Sequence, residues 1–146
     1  MQSKKILLVD DNADDFMLTT RAFRKLNLLE ELITASDGVE ALKYLFGDKR
    51  SVMVRKLEAL PALVLLDINM PRINGLDVLR EIRADEKTKT VPVVIFTSSG
   101  EERDIIASRK LGANNYIQKP VNFSDLIEVI RQLLFSMNLH LPSATE

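Results

Sequence analysis

Five short apolar runs, at residues 6–9, 32–34, 63–66, 93–96 and 116–117, constrain this chain more than any other feature. They are mostly aliphatic, and polar or turn residues bound each of them. Such runs read as strands buried on both faces, which is the mark of a parallel sheet. Consecutive parallel strands need long crossovers, and the stretches between the runs carry helical periodicity. The first predicted helix covers about 13–26, with Phe16, Phe23 and Leu26 on one side. Asp14 and Asp15 fall in its first turn and Arg24 and Lys25 in its last, the charge order that a helix dipole favours. Further helices are expected near 39–46, 76–83, 102–110 and 124–137. Five β–α units with right-handed crossovers make an α/β three-layer domain.

Length and composition narrow the chemistry. At 146 residues the expectation is one domain, 1–146, with a core of about 4–137 and a tail at 138–146. No internal repeat, linker or attached output domain is expected. Lys plus Arg is 20 against 21 Asp plus Glu, a net charge of -1, which argues against a nucleic-acid arm or a membrane-surface patch. The absence of cysteine excludes disulfides, thiolate metal sites and cysteine nucleophiles. The single histidine, His140, reads as a tail residue rather than a phosphotransfer or metal histidine. No apolar run is long enough to span a membrane, and the N-terminal residues do not form a signal peptide, so the cytoplasm is the expected setting. Whatever chemistry exists must use carboxylates, hydroxyls and amines.

The segment 47–61 breaks the alternation. Asp48, Lys49, Arg50, Arg55, Lys56 and Glu58 are interspersed with Val52, Met53, Val54 and Leu57. It reads either as an extended second helix or long solvated loop, or as a protrusion that contacts a partner.

Ligands of parallel α/β sheets bind beyond the carboxyl ends of the strands, where the strand order reverses. The first run is followed by Asp10 and Asp11, and the third by Asp67, Ile68, Asn69, Met70 and Pro71. The fourth is followed by Thr97, Ser98 and Ser99, and the fifth by Gln118, Lys119 and Pro120. Taken singly, each has an ordinary explanation: turn acids at Asp10, Asp11 and Asp67, helix caps at Thr97 and Ser98, a solvated lysine at Lys119. Together they place three carboxylates, a hydroxyl and an ammonium on one rim. Clustered carboxylates repel unless a cation joins them, and a few carboxylates completed by water are the usual magnesium site. Such a set suits phosphoryl transfer, in which an Asp carboxylate can itself accept the phosphoryl group.

The segments ILLVDDNADD, LVLLDINMPRINGLDVL, VPVVIFTSS and GANNYIQKP resemble the receiver domain of two-component response regulators. The resemblance covers Lys4 to about Leu134 and implies a doubly wound, flavodoxin-like five-stranded parallel sheet of order 2-1-3-4-5. It implies that Asp67 accepts phosphoryl from a phosphohistidine on a sensor histidine kinase. It implies that Asp10, Asp11 and Asp67 hold Mg²⁺, Asp11 more directly than Asp10, together with the backbone carbonyl of Asn69. Lys119 would pair with the phosphoryl oxygens, Thr97 would move to hydrogen-bond them, and Tyr116 would report that move through its rotamer. Asn69 and Ser99 would tune autodephosphorylation, and the Lys119–Pro120 bond would be cis. Phosphorylation adds roughly -1.5 to -2 charge units beside Lys119 and Thr97, which would bias the face built from the fourth helix, fifth strand and fifth helix. No turnover of an external substrate is implied.

Residues 123, 126, 127, 129, 130, 133, 134 and 137 form an apolar arc on the last helix, while Phe135 stands amid Asp125, Glu128, Arg131 and Gln132. An exposed Phe135 followed by Met137, Leu139 and Leu141 suggests a homodimer through this face and the tail. The long segment before the third strand and the apolar tail also resemble single-domain regulators that serve phytochrome-type kinases. Downstream, the partner would be a target protein or a histidine phosphotransfer protein. Three other functions fit less well. A phosphohydrolase of the haloacid-dehalogenase type places its nucleophile after the first strand, and a flavin carrier would meet repulsion from Asp10, Asp11, Asp14 and Asp15. A receiver-like scaffold that never needs phosphate would have no use for the complete set.

Overall fold

The computed structural model describes residues 5–47 and 60–139. Most of the 47–61 segment and the tail beyond Leu139, with His140 and Leu141, therefore lie outside the described residues. The strands are β1 (Ile6–Val9), β2 (Leu32–Ala35), β3 (Leu63–Leu66), β4 (Val93–Thr97) and β5 (Asn115–Gln118). The helices are α1 (Ala13–Lys25), α2 (Gly38–Phe46), α3 (Gly75–Ala84), α4 (Glu102–Lys110) and α5 (Phe123–Ser136), with a 3₁₀ turn at Leu29–Glu31. All strand pairs are parallel and their order is β2-β1-β3-β4-β5, as expected.

Strand side chains alternate between faces, and the central strands supply both layers of the core. Leu7, Val9, Val64, Leu66, Val93 and Ile95 pack with Ala41 and Leu45 of α2 and Val78, Leu79 and Ile82 of α3. Their neighbours Ile6, Leu8, Leu63, Leu65, Val94 and Phe96 pack with Ala22 and Phe23 of α1 and Leu126, Ile130, Leu133 and Leu134 of α5. Burial on both faces holds for β1, β3 and β4 but not for β2 and β5. Those two are edge strands with a neighbour on one side only, and β5 presents Asn115 and Gln118 to solvent.

Asparagine or aspartate starts four of the helices. Asn12, Asp37, Asn74 and Asn122 each accept from a backbone N–H of the first turn, and Asp77 returns the bond to Asn74 to complete a capping box. The helix α4 differs. Its N-cap is Glu101, which makes no side-chain cap bond, so Thr97 and Ser98 are not its caps.

At the start of α3 the chain needs glycine. The Gly75 N–H donates to the Ile68 carbonyl at 2.9 Å. A Cβ added there would lie 2.0 Å from the Asp67 carbonyl oxygen and 2.8 Å from the Ile68 Cα. Both obstacles are backbone, so the loop after β3 would have to shift. Gly75→Ala should cost about 1–3 kcal/mol or more in urea denaturation, as overpacking of a tight contact does. Unchanged stability would show that the loop yields freely.

Candidate functional site

The sheet register brings the first two acids together. Val9 pairs with Leu66 across β1 and β3, so Asp10 and Asp67 leave adjacent strands at the same level. Backbone bonds hold both: Asp67 donates to the Val9 carbonyl at 3.1 Å and Asp10 to the Ala35 carbonyl at 3.2 Å. Asp11 follows at the surface, and Asp10, Asp11 and Asp67 each offer a carboxylate oxygen within 4.8 Å of the others. Asn69 is exposed two residues beyond Asp67.

Lys119 comes from the far side of the sheet. Its N–H donates to the Thr97 carbonyl at 2.7 Å, which extends the β4–β5 pairing to the rim. Its ammonium donates to Asp10 Oδ2 at 2.6 Å, Asp15 Oδ2 at 3.1 Å and Asp67 Oδ2 at 3.3 Å. The Lys119–Pro120 bond is trans, contrary to expectation. A proline amide prefers trans by about 0.5–1 kcal/mol.

Burial sets the electrostatics. Asp10 is only 1% exposed, and desolvation pushes its pKa up despite the opposing Lys119 bond and the Asn12 N–H donated to its Oδ1. Burial alone would lower the Lys119 pKa, but the Asp10 bond and the charges of Asp67 and Asp10 outweigh it and raise the value. One ammonium thus serves several carboxylates. Asp67 Oδ1 is buried and accepts no hydrogen bond. A buried acceptor left unpaired costs about 1–3 kcal/mol, and more when charged. An orphaned carboxylate oxygen beside two further carboxylates is the donor set of a hard divalent cation, so these residues fit Mg²⁺.

A second group of polar residues leads away from the acids. Thr97 is fully buried, and its Oγ1 accepts from the Ser99 N–H at 3.3 Å. The Ser99 hydroxyl donates to Asp104 on α4 at 2.8 Å, and the Tyr116 hydroxyl donates to the Ser99 carbonyl at 2.8 Å. Tyr116 is half-buried, and burial together with the charges of Asp104, Asp67 and Glu101 raises its pKa. Asp10, Asp11, Asp67 and Lys119 thus meet on this rim, Thr97, Ser99 and Tyr116 form the chain of bonds behind it, and Asn69 is exposed in the loop after β3. The sequence reading missed Asp15, which it assigned to the helix dipole. A first-turn position on the helix that follows β1 points back toward the strand end, and that was the available signal.

Three comparisons bear on this geometry. The family model described as Response regulator receiver domain matches residues 6–131. The chain belongs to this family. The receiver is 35% identical to the response regulator Rcp1 of Synechocystis sp. over 128 residues, 88% of this chain and 84% of Rcp1. It superposes on the phosphorylated cyanobacterial phytochrome response regulator RcpA with a TM-score of 0.79 at 34% identity, covering 98% of this chain and all of that one (100%). For the Mn²⁺-bound form of Rcp1 the TM-score is 0.77 at 34% identity, with 94% and 98% covered. No helix among the receiver's described residues is long and apolar enough to cross a membrane.

The site makes a stability prediction. Lys119→Met leaves Asp10 and Asp67 buried without their cation, which should cost roughly 3–5 kcal/mol in chelator. Added Mg²⁺ should restore more of the melting temperature in the variant than in the wild-type receiver. Thermal melts with and without the ion check this, and an equal response in both proteins would contradict it.

Proposed function

We propose that this receiver is a phosphorylation-activated signalling switch whose acceptor is Asp67. The observation that carries this reading is the buried, partnerless Asp67 Oδ1 beside Lys119, Asp10 and Asp11. The donor is a phosphohistidine of a sensor histidine kinase. A carboxylate oxygen of Asp67 forms the new bond to phosphorus as the N–P bond breaks, and the electron pair of that bond stays with the imidazole. Hydrolysis later returns the carboxylate and inorganic phosphate. Asp10, Asp11 and Asp67, with the Asn69 backbone carbonyl, would hold Mg²⁺, which when bound neutralises charge on the phosphoryl oxygens. Lys119 pairs with those oxygens. Thr97 gives up the Ser99 N–H and turns its hydroxyl toward the phosphoryl group, and Tyr116 follows. Asn69 and Ser99, two residues beyond Asp67 and Thr97, tune autodephosphorylation.

The protein turns over no external substrate and acts in the cytoplasm by contact with another protein. The likeness to RcpA, described as a phytochrome response regulator, supports a phytochrome-type kinase as the donor. The downstream partner is a target protein, or a histidine phosphotransfer protein if the receiver relays its phosphoryl group. Acetyl phosphate with Mg²⁺ tests the central claim. The wild type should gain the mass of one phosphoryl group as a base-labile adduct on Asp67, and Asp67→Asn should gain none. No uptake by the wild type, or equal uptake by the variant, would leave only a scaffold that works without phosphate.

The oligomer is part of the same proposal. Phe135 is 80% exposed on α5, Val121 is fully exposed before it, and Ile106 of α4 is 46% exposed. Leu139 packs back onto the core beside α5. These apolar groups support a homodimer through α4, β5, α5 and the tail. Sedimentation should find the wild type dimeric and Phe135→Glu monomeric. A monomeric wild type, phosphorylated and unphosphorylated, would refute it.

A further inference from the structure

An ammonium has three N–H donors, and in Lys119 all three are taken. A phosphoryl group on Asp67 can gain Lys119 only if one carboxylate gives up its share. The three carboxylates differ in what release would cost. The side chains of Asp10 and Asp67 are 1% and 7% exposed, whereas that of Asp15 is 34% exposed. Phosphorylation converts the Asp67 carboxylate into an acyl phosphate, and Mg²⁺ when bound would pair with Asp10. Asp15 is then the carboxylate left to compete for Lys119, and on release it can turn to water.

Asp15 is not a surface acid that happens to lie near. Its N–H donates to the Asn12 side chain at 2.9 Å, so the N-cap of α1 fixes the residue. Its neighbour Asp14 is exposed and makes no ion pair with Lys119 among the described contacts. We infer that Asp15 is a positioning residue: it parks the Lys119 ammonium in the unphosphorylated receiver and competes with the phosphoryl group for that donor. The role rests on Asp67 being the phosphoacceptor. It places Asp15 in the equilibrium that precedes and follows transfer, so its removal should tighten the hold on a phosphoryl group without disturbing the fold.

Beryllium trifluoride with Mg²⁺, a tetrahedral mimic of an aspartyl phosphoryl group, is the probe. Its affinity is read from amide NMR shifts during titration of the full chain. Asp15→Asn should bind the mimic about fivefold tighter than wild type, the scale of one partly exposed ion pair. Asp15→Glu keeps the charge and should stay within about twofold, as should Asp14→Asn, which removes an equal charge from the same helix turn. Unchanged affinity in Asp15→Asn would overturn the role of Asp15 while leaving Asp67 as the acceptor. Equal tightening in Asp14→Asn would also overturn it, because net charge alone would then account for the effect. A wild type that binds no mimic would overturn both the role of Asp15 and the phosphoacceptor reading.

Discussion

The ammonium of Lys119 is the interaction on which the rest of the rim depends. Asp10 and Asp67 are placed side by side by the β1–β3 register, and both are buried. Two such carboxylates in a desolvated site repel each other. A lysine from β5 can reach them only if the strands between keep their register, and the Lys119 N–H bond to Thr97 fixes the last step of that path. The ion-pair cluster thus ties together the ends of β1, β3 and β5 with the first turn of α1. Buried ion pairs give little net stability, because desolvation offsets most of the attraction. Under the proposed function they hold charge ready for an incoming anion and its counter-ion.

The core makes that arrangement rigid. The two layers take alternate residues from the same three central strands, so a one-residue slip would exchange the layers and move every rim residue to another level. Precision at the rim is therefore a by-product of packing. The contact at Gly75 carries it across to α3, whose first residue lies against the backbone of Asp67.

Much of this was legible in the chain. Uninterrupted aliphatic strands and Asx-capped helices are local patterns, and they set the element order and the polar groups at four strand ends. Three features were not legible, each for a physical reason. Edge exposure of β2 and β5 depends on strand order, which periodicity does not encode. The isomer of the Lys119–Pro120 bond is not written in the dipeptide, because proline leaves both forms accessible. Asp15 carries an ordinary helix-dipole signature, and only the tertiary position of Lys119 turns it into an ion-pair partner. Thr97 shows the reverse case. A capping role was the simple local expectation, and the absence of a cap bond at α4 leaves its hydroxyl to Ser99.

That detail bears on where a signal can travel. Ser108 is the only fully buried residue of α4, whereas α3 and α5 each bury several large apolar side chains. An element with so little buried apolar area opens or shifts at lower cost than the helices of the core. Two hydrogen bonds converge on Ser99, in the loop that leads into α4: its hydroxyl donates to Asp104 of that helix, and its carbonyl accepts from Tyr116 of β5. Thr97 reaches the same residue through the Ser99 N–H. A phosphoryl group that drew the Thr97 hydroxyl inward would break this last bond and free the β4–α4 loop at the point where it restrains both Asp104 and Tyr116. Under the proposed switch, the weakly packed helix and the serine that pins it are where charge at Asp67 would be felt. Asp104 lies two residues before the exposed Ile106 on α4, so under the proposed switch a local electrostatic event could alter a surface another protein would read.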